Sequence, residues 1–342
     1  MNRRDAAIAM LALGAAAGPL GALAQAARPG KLPAIGFLDF GPAPTPEQAA
    51  ERAKNPGPVV RRLRELGWIE GDTVRYEFAY AGGSQDRLPQ AAIELLQKRV
   101  DLILAPGPEV AVAAARATKA IPIVFFGISI PAELGLIASL SRPGGNVTGV
   151  ASGGSTWAVK LYELLKTIVP GTTRVASLVR PGIFQSVSGK SLNPWDPVFD
   201  AAAGKLGLEL RRFPVNEAED FDAAFAAILK SRAQALAIST TRLMALNRQR
   251  LADFANRNRL PSAFDSPLFV EAGGLFSYGA VASETARRSA EHVDRILRGA
   301  RPADLPVEFP TRYELVVNQK TARSLGLTIP QEVMLRADRV IE

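Results

Sequence analysis

Short apolar runs alternate along the chain with stretches whose apolar residues recur every three or four positions. The first run, 33–40 (PAIGFLDF), stops at Gly41 and a proline-rich stretch and reads as a buried strand with its loop. Positions 47–66 are broadly helical, with a break at Asn55-Pro56-Gly57-Pro58. There Val60, Leu63 and Leu66 keep the helical spacing, and Gly67 supplies the stop expected just past a helix end. Positions 73–80 (TVRYEFAY) alternate and predict a second strand. Asp86 is expected to cap a helix with the stripe Leu88, Ala92, Leu95 and Leu96. A strand at 101–105 (DLILA), an alanine-rich helix at 110–118 and a strand at 121–126 (IPIVFF) follow. Strands joined through helices of this length make parallel βαβ units.

The second half repeats the pattern. Helices are predicted at 157–168, 197–206, 221–231, 242–256 and 283–298, the last closed by Gly299. Strands are predicted at 174–179 (RVASLV), 208–213, 235–239 (ALAIS) and 261–264. The fold class is therefore α/β: two doubly wound parallel-sheet lobes joined by a multi-strand hinge. The Gly- and Ser-rich joint at 149–154 suits a hinge. Open parallel sheets bind ligands at the carboxyl ends of their strands, where strand order reverses. Two such sheets face to face leave a cleft, although glycosyltransferases and sugar repressors share that plan.

The first 26 residues read as a signal peptide. Arg3-Arg4 form the positive region, 6–23 the apolar region, and Ala24-Gln25-Ala26 a small-x-small cleavage site. The arginine pair points toward twin-arginine export and the rest toward the general secretory route. The mature protein is thus expected in the periplasm. Removing Arg3, Arg4 and Asp5 lowers the net charge of +8 by one.

Composition narrows the chemistry. The 342 residues are 47% hydrophobic and 22% charged, as in a globular chain of two domains. Basic residues occur at most in pairs, such as Arg61-Arg62, without interleaved aromatics, so no nucleic-acid partner is expected. There is no cysteine and one histidine, His292, which is expected on a helix surface beside Arg288 and Arg295. Thiolate catalysis and disulfides are thereby excluded, a lone histidine leaves triads and helical zinc pairs almost nothing to work with, and no cofactor or metal is expected. The acidic pairs Glu217/Glu219 and Asp220/Asp222 look like capping charges. The chain reads as no enzyme.

Five stretches carry a family resemblance: 63–72 (LRELGWIEGD), 87–89 (RLP), 135–149 (GLIASLSRPGGNVTG), 269–279 (FVEAGGLFSYG) and the block from Arg287 to Glu342. On these the chain resembles ABC transporter substrate-binding proteins with a type I periplasmic-binding-protein fold, whose better-known members bind aromatic amino acids. The resemblance implies a first lobe of 27–150 and 279–312 and a second of 151–278 and 313–342. It also implies three crossings, expected near 147–149, 275–278 and 314–317. Its function would be to bind a small molecule, an amino acid or related nitrogenous solute, by hinge closure. Its partners would be a membrane permease and ATPase, with the protein itself a monomer. A receptor that feeds a membrane sensor or chemoreceptor is the alternative.

Candidate ligand contacts sit at strand ends. Asp39 and Phe40 follow the first strand, and Gly107, Pro108 and Glu109 open the helix after the third. Main-chain amides there suit a ligand carboxylate, whereas Glu109 suits an ammonium or simply the helix dipole. Ser129 and Ile130 follow the fourth strand, Thr240 and Thr241 follow ALAIS, and Asp265 ends a later strand. Relatives often place a small hydroxyl residue where Pro108 and Glu109 stand, and acids where Ile130 and Thr240-Thr241 stand. Tyr278 is a candidate for stacking on a planar ligand, with Trp157, Phe184, Trp195 and Phe276 as further aromatics.

Overall fold

The computed structural model describes residues 31–179, 184–192 and 195–342, and only the main chain at 154–156, 184–185, 191–192, 195–198 and 242. The expected signal peptide lies outside the described residues.

The first series comprises β1 (Ala34–Asp39), α1 (Pro46–Lys54), α2 (Pro58–Glu65), β2 (Arg75–Tyr80), α3 (Leu88–Gln97), β3 (Leu102–Pro106), α4 (Pro108–Ala117), β4 (Ile123–Ile128) and β5 (Val147–Ala151). The second opens with α5 (Gly154–Ile168), β6 (Arg174–Val179), β7 (Phe184–Gln185), β8 (Ser191–Leu192), α6 (Trp195–Lys205), β9 (Glu209–Pro214) and α7 (Phe221–Lys230). It continues through β10 (Ala235–Ile238), α8 (Arg242–Leu246), α9 (Arg248–Arg257), β11 (Ser262–Phe264), α10 (Pro267–Glu271) and β12 (Phe276–Ala280). The chain ends with α11 (Ala282–Leu297), β13 (Tyr313–Asn318), α12 (Gln319–Ser324), α13 (Gln331–Met334) and β14 (Arg339–Ile341).

The first sheet is all parallel in the order β2-β1-β3-β4-β5. Its strands are nearly continuous apolar runs because helices cover both faces. On one face Leu88, Leu95, Val110 and Phe125 pack beneath α3 and α4. On the other, Ile35, Tyr76 and Val124 meet Leu63 of α2 and Ala290 and Val293 of α11. The chain therefore returns to the first lobe after β12, and ion pairing of Arg62 to Glu291 (2.9 Å) fixes α11 there. The second sheet runs β14-β13-β12-β11-β10-β6-β9 and is parallel except between β12 and β13. Trp157, Tyr162 and Phe276 fill its α5 face, and Phe221, Phe264 and Phe269 its α7–α10 face.

The three crossings fall at 152–153, at 281 and at 309–312. β5 runs one residue and β12 two residues past the expected lobe boundaries. Of the residues expected as crossings, 147–149 lie in β5 of the first sheet, and 275–278 and 314–317 lie around the paired strands β12 and β13 of the second. Their apolar alternation is that of sheet interior. Glu308 ties the third crossing to the first sheet, since its amide donates to the Gly149 carbonyl (3.1 Å) and its carbonyl accepts from Ala151 (2.8 Å).

Three local expectations change. Asp86 does not cap α3; it sits in a 3-10 turn at Gln85–Arg87, and Arg87 holds the N-cap position. The single helix expected at 242–256 divides at Asn247. His292 is fully buried, its ring nitrogens 3.3 and 3.2 Å from the carbonyls of Arg288 and Pro306. Of the four acids expected as capping charges, Glu217 and Asp220 form a capping box, whereas Asp222 pairs with Arg250 at 2.6 Å.

Candidate ligand-binding cleft

Strand order reverses between β1 and β3 in the first sheet and between β6 and β10 in the second. At such a point adjacent loops diverge to opposite faces and leave a crevice. β5 and β12 both end at a crossing, so the carboxyl ends of the two sheets meet at the hinge.

At the first-lobe edge, Asp39 ends β1 and its Oδ1 accepts from the Gly41 amide at 2.7 Å. This turn is tied to the loop after β2 by Gly82 donating to Gly41 and Gly83 to Phe40 (2.9 and 2.7 Å). Phe40 is half-buried against the first-lobe core. Gly107 is the N-cap of α4 with φ 81°, a conformation that suits glycine. Pro108 and Glu109 form the first turn, and a Cβ placed on Gly107 would lie 3.7 Å from Glu109 Oε2. Glu109 thus folds back over the helix N-terminus, the side its charge favours. Ser129 and Ile130 are buried just after β4, and Ser129 Oγ lies 2.6 Å from Ser152 Oγ in the first crossing.

At the second-lobe edge, Asp265 follows β11 and both its oxygens accept from the Thr240 amide, at 2.9 and 3.0 Å. The Thr240 hydroxyl also donates to Oδ1. Burial pushes the Asp265 carboxyl above its ordinary value, with these hydrogen bonds opposing the shift. Thr241 turns away to cap α8, its hydroxyl accepting from the Met244 amide at 3.2 Å. Gly279 of β12 touches the same corner: a Cβ there would come within 1.9 Å of the Asp265 carbonyl.

The fold sets β1, which ends at Asp39, beside β3, which leads into the Gly107–Glu109 turn, and bonds Thr240 to Asp265. Tyr278 follows Ser277, the register partner of Phe264, so its backbone neighbours Asp265 while its ring turns to the sheet's other side. That ring stacks on Tyr313 at 5.6 Å and packs into the second-lobe core, and burial raises its hydroxyl pKa. Trp157 and Phe276 are also core residues. The side chains of Phe184 and Trp195 lie outside the described residues. Two neighbours of the cleft escaped sequence reasoning. Tyr80 stands opposite Asp39 in register at the end of β2, with its hydroxyl pKa raised by burial. Ser152 is bonded to Ser129 across the first crossing. The signal for Tyr80 was its position as last residue of an alternating strand.

Two doubly wound parallel-sheet lobes joined by three crossings define the type I periplasmic-binding-protein fold. Residues 50–341 match the family described as ABC transporter substrate binding protein, and the chain belongs to that family. It is 25% identical over 268 residues to a tyrosine-binding protein of Clostridioides difficile (strain R20291), covering 78% of this chain and 75% of the relative. It is similar to the ABC domain in complex with L-Trp from Streptococcus pneumonia, with 26% identity, a TM-score of 0.79, and coverage of 91% of this chain and 100% of that one. The leucine-binding protein of Thermotoga maritima shares the fold, with 15% identity, a TM-score of 0.52, and coverage of 80% and 78%. These relatives are binding proteins. Among the described residues no helix is long and apolar enough to cross a membrane, and no cluster of acids and histidine fits a metal.

Proposed function

We propose that the chain is the extracytoplasmic, non-catalytic solute-binding component of an ABC importer and carries an amino acid or related ammonium compound between its lobes. The observation that carries this reading is the Thr240–Asp265 pair, a carboxylate lifted by burial at the second-lobe switch point. An ammonium brought against it favours the charged form and gains a charge-assisted hydrogen bond. The tyrosine- and tryptophan-binding relatives support an amino-acid ligand. Asp39, Phe40, Tyr80, the Gly107–Glu109 turn and Ser129–Ile130 form the opposing wall in this reading.

Ligand settles on one lobe, the other folds over it, and the closed form docks on the permease and ATPase. The ligand drives closure only by binding the closed state better than the open one. A thermal-shift screen of residues 27–342 against amino acids, amines, purines and aromatic acids tests the proposal. A native-state ligand at a hundred times its Kd stabilises by about 2.7 kcal/mol. A hit among amino compounds supports the reading, whereas turnover of any hit by the purified protein contradicts it.

A further inference from the structure

The second lobe sends out one element that its own sheet does not use. Residues 184–192 form a hairpin of β7 and β8 between β6 and α6. Its tip is tied to itself. Ser186 donates to the Lys190 carbonyl and Gly189 to that of Ser186, both at 2.8 Å, and the Lys190 amide reaches Ser186 Oγ at 3.1 Å. The tip is seated on the first lobe. The Val187 amide donates to the Leu134 carbonyl at 2.9 Å, and Val187 packs against the first-lobe core. Arg116 of α4 donates through Nη2 to the Ser186 carbonyl at 2.6 Å, and Ser186 is only 5% exposed. The socket, Leu134-Gly135, lies on the loop that begins at Ser129 and Ile130, and the Leu134 amide donates to the Ile130 carbonyl at 3.3 Å.

We infer that the 184–192 hairpin is a detachable latch, which holds the lobes together when its tip is seated on Leu134-Gly135 and frees them when it leaves. The three covalent crossings all lie at the hinge and restrain only the pivot. The hairpin contact is made on α4 and on the loop after β4, not on the crossing residues themselves, so lobe separation must break it or bend the hairpin. Among the described residues the seat consists of Val187 and of hydrogen bonds from Arg116 to the Ser186 and Val187 carbonyls and from Val187 to Leu134. Because the socket and Ser129–Ile130 share a loop, a solute held there steadies the seat. The inference rests on the two-lobed binding reading, but its test needs no ligand.

The test uses the absence of native cysteine. A Cβ on Gly135 would stand 3.8 Å from Val187 Cβ, the usual Cβ separation of a disulfide. In the double variant Gly135→Cys/Val187→Cys the disulfide is expected to form, as read by loss of titratable thiols. Any strain at residue 135 is common to the oxidised and reduced forms. Small-angle scattering of the ligand-free protein is expected to give a smaller radius of gyration oxidised than reduced. Val187→Asp, shown folded by circular dichroism, is expected to give a larger radius than wild type. Failure of the disulfide to form contradicts the seat itself. Equal radii across oxidised, reduced and Val187→Asp proteins contradict the latch, and leave the proposed ligand reading to its own screen.

Discussion

At the first-lobe edge the loops are held chiefly by the main chain: Gly82 to Gly41, Gly83 to Phe40, and Gly107 to Phe126. At the second-lobe edge the corresponding corner hangs on one side chain, Asp265, which gathers the Thr240 amide and hydroxyl. A main-chain frame keeps its shape when side chains change, so it suits a platform that receives varied ligand surface. A half-buried carboxylate held by hydrogen bonds is specific in charge, so it suits selection of a cationic group. In the proposed reading, the contrast makes the second lobe the selective half of the cleft and the first lobe the permissive half.

The largest effect is expected where a Cβ meets main chain. Gly279→Ala would collide with the Asp265 carbonyl and Gly149→Ala with that of Phe125, at 1.9 and 2.0 Å. Each is expected to cost about 3 kcal/mol, or roughly 8 °C in melting temperature. If the comparison holds, Gly279→Ala also loses the response to ligand, whereas Gly149→Ala, whose clash is with the first-sheet strand β4, retains it. Calorimetric melting with and without the hit of the thermal-shift screen separates the two.

Next comes Asp265→Asn, which is expected to weaken binding of an amino compound at least tenfold, about 1.4 kcal/mol. Stability should move the other way. A carboxyl whose folded pKa stands above its ordinary value of 3.8 holds its proton more readily folded than unfolded. Its contribution is fully present below 3.8 and is lost as pH rises through the raised folded value. The melting temperature of Asp265→Asn relative to wild type should therefore rise with pH across that window. A flat difference would remove the desolvated carboxylate from the comparison.

Smaller effects probe the permissive half. Asp39→Ala deletes the acceptor for the Gly41 amide and is expected to cost about 1 kcal/mol, with the glycine amides still holding the loop. A loss of several kcal/mol in denaturant melts would show that the first-lobe edge also hangs on one side chain. Glu109→Gln removes an acid from the first turn of α4 and is expected to cost about 0.5 kcal/mol.

Most of the strands were legible because burial on both faces turns them into apolar runs. ALAIS became β10, buried at all four strand positions. Their ends were legible for the same reason, and those ends supplied Asp39, Gly107, Ser129, Thr240 and Asp265. Which of them touch was not legible, since the Thr240–Asp265 contact joins residues from neighbouring parallel strands. Tyr278 has the alternation of a strand but points to the core side, which register alone decides. His292 reads as a surface residue beside Arg288 and Arg295. The returning segment places Pro306 over its ring and pairs both arginines with Glu308. The hairpin at 184–192 has two-residue strands and a polar turn, and its seat on the first lobe is made by contacts far apart in sequence.

The central claim is that the second-lobe carboxylate selects the ligand. The most direct test is a parallel thermal-shift titration of wild type and Asp265→Asn with the standard amino acids at neutral pH. The account predicts that at least one amino acid raises the melting temperature of wild type and that the same compound shifts Asp265→Asn far less. Equal shifts in the two proteins, or shifts of wild type by carboxylic acids that lack an amino group, would contradict it.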